Sequence, residues 1–123
     1  MDKIIISKEI PKCASYDCIV AGGGVAGVAA AVSAARMGLK VLLLEKNISL
    51  GGLATIGLVN LFVPMCNGHG KQIIKGMAEE FLQLSIKYGF DTIPDVWKNG
   101  EPKEPTDIRY LSRFSAPVFT LAL

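Results

Sequence analysis

Hydrophobic positions change their period several times along the chain, and each change predicts a different element. Cys18–Ala21 is a short unbroken apolar run, the pattern of a strand buried on both faces, with the strand region spanning Tyr16 to Ala21. Three glycines, Gly22, Gly23 and Gly24, interrupt it. From Val25 to Met37 the apolar residues Val25, Val28, Val32 and Ala35 recur at spacings of three and four, which predicts one face of a helix. Gly38 follows Arg36 and Met37 where a C-terminal glycine cap belongs, and Arg36 suits the negative end of the helix dipole. Lys40–Glu45 encloses Val41, Leu42, Leu43 and Leu44, a second buried-strand pattern. Two such strands joined by a helix make a right-handed parallel βαβ unit.

The pattern is less regular beyond Lys46. Asn47 to Gly70 carries Gly51, Gly52, Gly57, Gly68 and Gly70 and no Asp, Glu, Lys or Arg, so it is not one element. Ile74, Met77, Phe81, Leu84 and Tyr88 then share a helical face opposite Lys71, Lys75, Glu79, Gln83 and Lys87, which predicts an amphipathic helix ended by Gly89. Asp91 to Thr106, broken by Pro94, Pro102 and Pro105, reads as loop. Ala116 to Leu123 is apolar again and reads as a strand or helix. Residues 1–15, with Ile4 to Ile6 before Pro11, read as an edge strand or a loose extension. The domain division that follows is 1–15 as extension and 16–123 as one α/β domain with a parallel sheet.

The stretch from Cys18 to Ala35 is eighteen residues without a charge, long enough to raise the question of a membrane span or a signal peptide. Three consecutive glycines cost a helix about 2–3 kcal/mol relative to alanine. Gly and Ala also dominate the segment, so strand, turn and helix describe it better. The net charge is +2 and the basic residues form no run, which gives no sign of a nucleic-acid surface. Cys13, Cys18 and Cys66 are an odd set without framework spacing, so a reducing compartment, the cytoplasm, is expected. Half the residues are hydrophobic, an excess that an oligomer or a further stretch of chain would help to cover.

Gly22, Gly24 and Gly27 spell G-x-G-x-x-G between the first strand and the helix. Gly22 permits the tight turn, Gly24 lets a pyrophosphate approach the backbone, and Gly27 lets helix and strand pack closely. The first helical residues, Val25 and Ala26, lie where free N–H groups and the positive dipole end meet phosphate. Glu45 stands eighteen residues after Gly27 at the end of the second strand. Its carboxylate suits ribose hydroxyls and repels a 2′-phosphate, so an adenine dinucleotide such as FAD or NAD is expected, with Lys46 beside it. The structural alternative is an ordinary glycine turn with a chance glutamate.

"DCIVAGGGVAGVAAAVSAARMGLKVLLLEKNISLGGLAT" resembles the start of flavin-dependent oxidoreductases with a glutathione-reductase-type FAD domain, related to the flavin subunit of heterodisulfide reductases. The narrowing features are Gly51-Gly52 after Glu45, then Ala54-Thr55 and Gly57-Leu58-Val59. "GKQIIKGMAEEFL" resembles the helix that follows in that family. The resemblance implies a Rossmann-like three-layer FAD/NAD(P)-binding domain, present only in its N-terminal part. It implies FAD as cofactor, with Gly22, Gly23, Gly24, Val25, Ala26, Gly27, Glu45, Lys46, Gly51, Gly52, Ala54 and Thr55 along it. Some relatives hold iron–sulfur clusters, but three dispersed cysteines make no Cys₄ set. Transfer of hydride or electrons through FAD is the implied chemistry. A non-catalytic remnant and an NAD-binding domain remain as alternatives. Cys66 as a redox thiol, Cys66 with His69 as metal ligands and His69 as an acid or base are weaker readings than a buried thiol and a solvated imidazole.

Overall fold

The computed structural model describes residues 3–88 and 91–123. Its first part is the βαβ unit that the hydrophobic periods predict. Strand β1 (Cys18–Ala21) runs parallel to β2 (Val41–Leu44), with Cys18 opposite Val41 and Ala21 opposite Leu44. Helix α1 (Val25–Arg36) crosses between them and covers one face of the pair. Val28 and Ala31 are its buried residues, while Val25 and Val32 are half-buried and Ala35 is exposed. The buried stripe therefore passes through Ala31 instead of Ala35.

The end of α1 shows why the chain stops being helical there. Gly38 sits at φ +85°, its N–H donates to Ala35 O, and Leu39 N–H donates to Ala34 O. These are the paired bonds of a Schellman cap, and the left-handed residue they need is the glycine. The opposite face of the sheet is poorly covered, since Ile19 is 60% and Leu44 50% exposed.

The second part begins after a 3₁₀ turn at Gly52–Ala54. The two-residue strands β3 (Leu61–Phe62) and β4 (Ser112–Arg113) pair antiparallel, and helices α2 (Met77–Ile86) and α3 (Ala116–Ala122) pack together. Here lies most of the core: Met65, Phe81, Leu82, Ile93, Trp97, Tyr110, Phe114 and Phe119 are all buried. Phe119 meets Phe62, Phe81 and Phe114 edge to face at ring-centre distances of 6.1, 6.0 and 5.3 Å. Trp97 stacks on Tyr110 at 5.0 Å, and its ring N–H donates to Ile108 O. Val28 of α1 joins this cluster, and the Arg36 guanidinium forms a two-pronged bond with Glu80, so α1 ties the two parts together.

One sequence expectation changes in this part. The amphipathic helix was expected over Lys71 to Tyr88, but α2 starts at Met77. Gly70 and Gly76 take φ of +88° and +70°, and the N–H groups of Ile73 and Ile74 both donate to Met65 O. Residues 71–75 therefore run back along residues 65–67, with Gln72 bridged to Cys66. Ile74 is not helical, Tyr88 is 76% exposed, and Gly89 lies outside the described residues. Residues 3–15 form neither strand nor helix, the looser of their two readings, and leave Ile4, Ile5, Ile6 and Ile10 largely exposed. The apolar Ala116–Leu123 segment resolves to helix α3, with Pro117 in its first turn, where a missing N–H does no harm. Among the described residues no helix is long and apolar enough to cross a membrane.

Candidate functional site

The glycine loop sits at the C-terminal end of β1. Gly22 adopts φ +107°, a conformation that favours glycine, and its N–H donates to Leu44 O at 2.7 Å, extending the ladder one residue into the turn. A Cβ on Gly27 would overlap the Gly22 carbonyl oxygen, so the helix can sit this close to the bend only with glycine there. Gly24 is different. Its φ is −65°, open to any residue, and a Cβ placed on it meets nothing within 4 Å. Neither backbone nor packing asks for glycine at 24.

Gly24 is also the N-cap of α1, and no side chain caps that end. The first-turn N–H groups, those of Val25 and Ala26 among them, have no partner within the helix and present a donor-rich, positive end.

The second glycine pair is brought against the first. Gly51 N–H donates to Gly23 O at 2.8 Å, and a Cβ on Gly52 would lie 3.3 Å from Gly24 Cα. Both take positive φ, +94° and +55°. Thr55 is buried and donates its hydroxyl to Leu50 O, and it fills the place a Gly51 side chain would need. Thr55 thus holds the shape of the second loop from below, while Ala54 faces the hollow in front of it.

Glu45 links the strand end to the loop. Its Oε2 accepts the Gly23 N–H at 2.7 Å, and its Oε1 accepts both the backbone N–H and the side-chain Nδ2 of Asn47, each at 2.8 Å. The bond from the Asn47 backbone, then that from Gly23, holds the Glu45 carboxyl below its ordinary pKa. The group is therefore a carboxylate at neutral pH. A Cβ on Gly23 would press on the tip of Leu50 and lie only 3.0 Å from Glu45 Cβ, so the middle glycine eases this close approach.

Two solvent-open hollows flank the loop. One, of about 450 Å³, is lined by Ala21, Gly22, Leu44, Glu45, Lys46 and Asn47. The other, of about 440 Å³, is walled by Gly24, Val25, Ala26, Gly51, Leu53, Ala54 and Val59, and is mostly apolar. All twelve sequence-derived candidates thus fall on one surface or directly beneath it. Asn47, bonded to Glu45 on the wall of the first hollow, was not among those candidates. An amide side chain two positions after the strand-end acid was its only signal. Cys66 and His69 are not part of this surface's lining. Cys66 is buried, its sulfur accepting the Tyr110 N–H, and His69 is exposed.

A βαβ unit with a glycine-lined bend, an uncapped helix start and a strand-end carboxylate defines an α/β dinucleotide-binding unit. Residues 17–110 match the FAD dependent oxidoreductase family, and the chain belongs to that family. FAD is accordingly its cofactor. The chain is 31% identical over 81 residues to a thioredoxin reductase of Ureaplasma parvum, which covers 66% of this chain and 26% of that protein. It is 61% identical over 36 residues to digeranylgeranylglycerophospholipid reductase 2 of Methanothermobacter thermautotrophicus, covering 29% of the chain and 9% of the relative. A mitochondrial dihydrolipoyl dehydrogenase of Caenorhabditis elegans is 32% identical over 66 residues, 53% of the chain and 13% of that protein. The chain thus spans about a quarter or less of the length of each of these relatives. No solved structure matches it significantly.

Proposed function

We propose that residues 16–123, after the extension 1–15, are the N-terminal FAD-binding portion of a flavin-dependent oxidoreductase with a three-layer, Rossmann-like domain. FAD supplies the hydride or electron transfer; these residues bind and orient it. Gly22, Gly24 and Gly27 shape the diphosphate cradle, and the first-turn amides of Val25 and Ala26 donate to it. Glu45 accepts from the adenosine ribose in the hollow it shares with Lys46. Gly51, Gly52, Ala54 and Thr55 carry the cofactor towards its flavin end along the apolar hollow. The three free thiols suit a reducing compartment, the cytoplasm.

One observation supports this reading: Gly24 is glycine although its φ of −65° suits any residue and a Cβ there would meet nothing within 4 Å, so the open space in front of it is what the glycine leaves clear for the diphosphate. The test is thermal melting of the purified chain alone, with FAD and with ADP. A ligand that binds only the folded state raises the melting temperature with concentration. FAD should raise it further than ADP, because FAD fills both hollows. A rise with ADP that FAD does not exceed would reduce the site to an adenylate binder. No rise with either would overturn the proposal.

A further inference from the structure

We propose that Asn47 is a second ribose-binding residue, reading the vicinal diol jointly with Glu45. This rests on the adenine-dinucleotide reading of the same site. An ionised carboxylate offers about four lone-pair positions and donates nothing. Asn47 occupies both positions on Oε1, through its backbone N–H and its Nδ2, and Gly23 occupies one on Oε2. About one position is left, enough for a single hydroxyl. A ribose presents two.

Asn47 supplies the missing acceptor. Because Glu45 only accepts, the Asn47 amide must turn its nitrogen towards Glu45 and its Oδ1 away. That Oδ1 takes no hydrogen bond from another described residue, and Asn47 is exposed on the wall of the same 450 Å³ hollow. The carboxylate orients the amide, and the amide holds the carboxylate against the glycine loop. One hydroxyl then donates to Glu45 Oε2 and its neighbour to Asn47 Oδ1.

The experiment compares ADP with 2′,3′-dideoxy-ADP by calorimetric titration, for the wild-type chain, Asn47→Ala and Asn47→Asp. The wild type should prefer ADP. Asn47→Ala should weaken ADP about three- to tenfold, the worth of one hydrogen bond, and leave the dideoxy nucleotide nearly unchanged. Asn47→Asp sets a second carboxylate beside Glu45, so its ADP affinity relative to the wild type's should rise as the pH falls, the titration of the nucleotide's own phosphate being common to both. An equal loss for both nucleotides in Asn47→Ala, or a wild-type pH profile in Asn47→Asp, would overturn this role and leave the parent reading standing. Failure of the wild type to bind either nucleotide would overturn the parent reading, and this inference with it.

Discussion

The two parts of the molecule are held in different ways. Around the glycine loops, order comes from polar bonds and close backbone contact: Gly22 to Leu44, Gly51 to Gly23, Glu45 to Gly23 and Asn47. The sheet beneath them leaves Ile19 and Leu44 half or more exposed. From Leu61 onward, order comes from apolar packing, with Phe119 and Leu82 fully buried and Trp97 nearly so. The first part fixes a shape at the surface; the second supplies the mass against which α1 seats through Val28. A site that must leave room for a long ligand cannot also be where the chain closes on itself.

That division predicts an order of mutational effects. Phe119→Ala removes a ring packed against three others and should destabilise by about 3–5 kcal/mol. That is a large share of what a single domain holds, and denaturant melts will measure it. Gly27→Ala drives a methyl into the Gly22 carbonyl and should cost about 1–3 kcal/mol, with loss of nucleotide binding as the bend shifts. Ile19→Thr, on the uncovered sheet face, should change stability by no more than about 0.5 kcal/mol. A loss there as large as that at Phe119 would erase the contrast between the two parts.

The smallest effect is expected at the link between them. Arg36, through its hydrogen bond first and its charge second, holds the Glu80 carboxyl below its ordinary value. A folded-state value that is lowered stabilises above the free carboxylate's pKa, and the contribution fades as pH falls through the lowered value. Arg36→Ala should therefore be slightly less stable than wild type at neutral pH, and the two should converge in acid. Both groups are open to solvent, so added salt should shrink the difference as well.

How much was legible in the sequence follows the same division. The βαβ unit could be read because its signals are local: an apolar run, a three-and-four spacing, and glycines at turn positions. The place of Glu45 at the strand end was legible, but its bond to Gly23 was not, because it depends on the strand pairing that carries Glu45 back to the bend, and its bonds to Asn47 depend on how the chain turns just after the strand. In the second part the pairings are distant in sequence. Phe62 sits opposite Ser112, and Met65 N–H donates to Tyr110 O. Two-residue strands have no period to read. The start of α2 was misplaced because an apolar spacing of three continues through Ile74, while Gly76 turns the backbone before the helix begins. The family resemblance was carried by the first part and a short reach of the second, where the local signals are.

The most direct measurement concerns Gly24. Asp is among the best N-cap residues and complements the helix dipole, and its Cβ has open space here. The Gly24→Asp chain should melt, unliganded, at or slightly above the wild-type temperature, and should lose FAD and ADP binding, because its charge and bulk occupy the diphosphate's approach. An unliganded melting point lowered as far as that of Gly27→Ala, or wild-type affinity for either nucleotide, would contradict the claim that this glycine exists for the ligand.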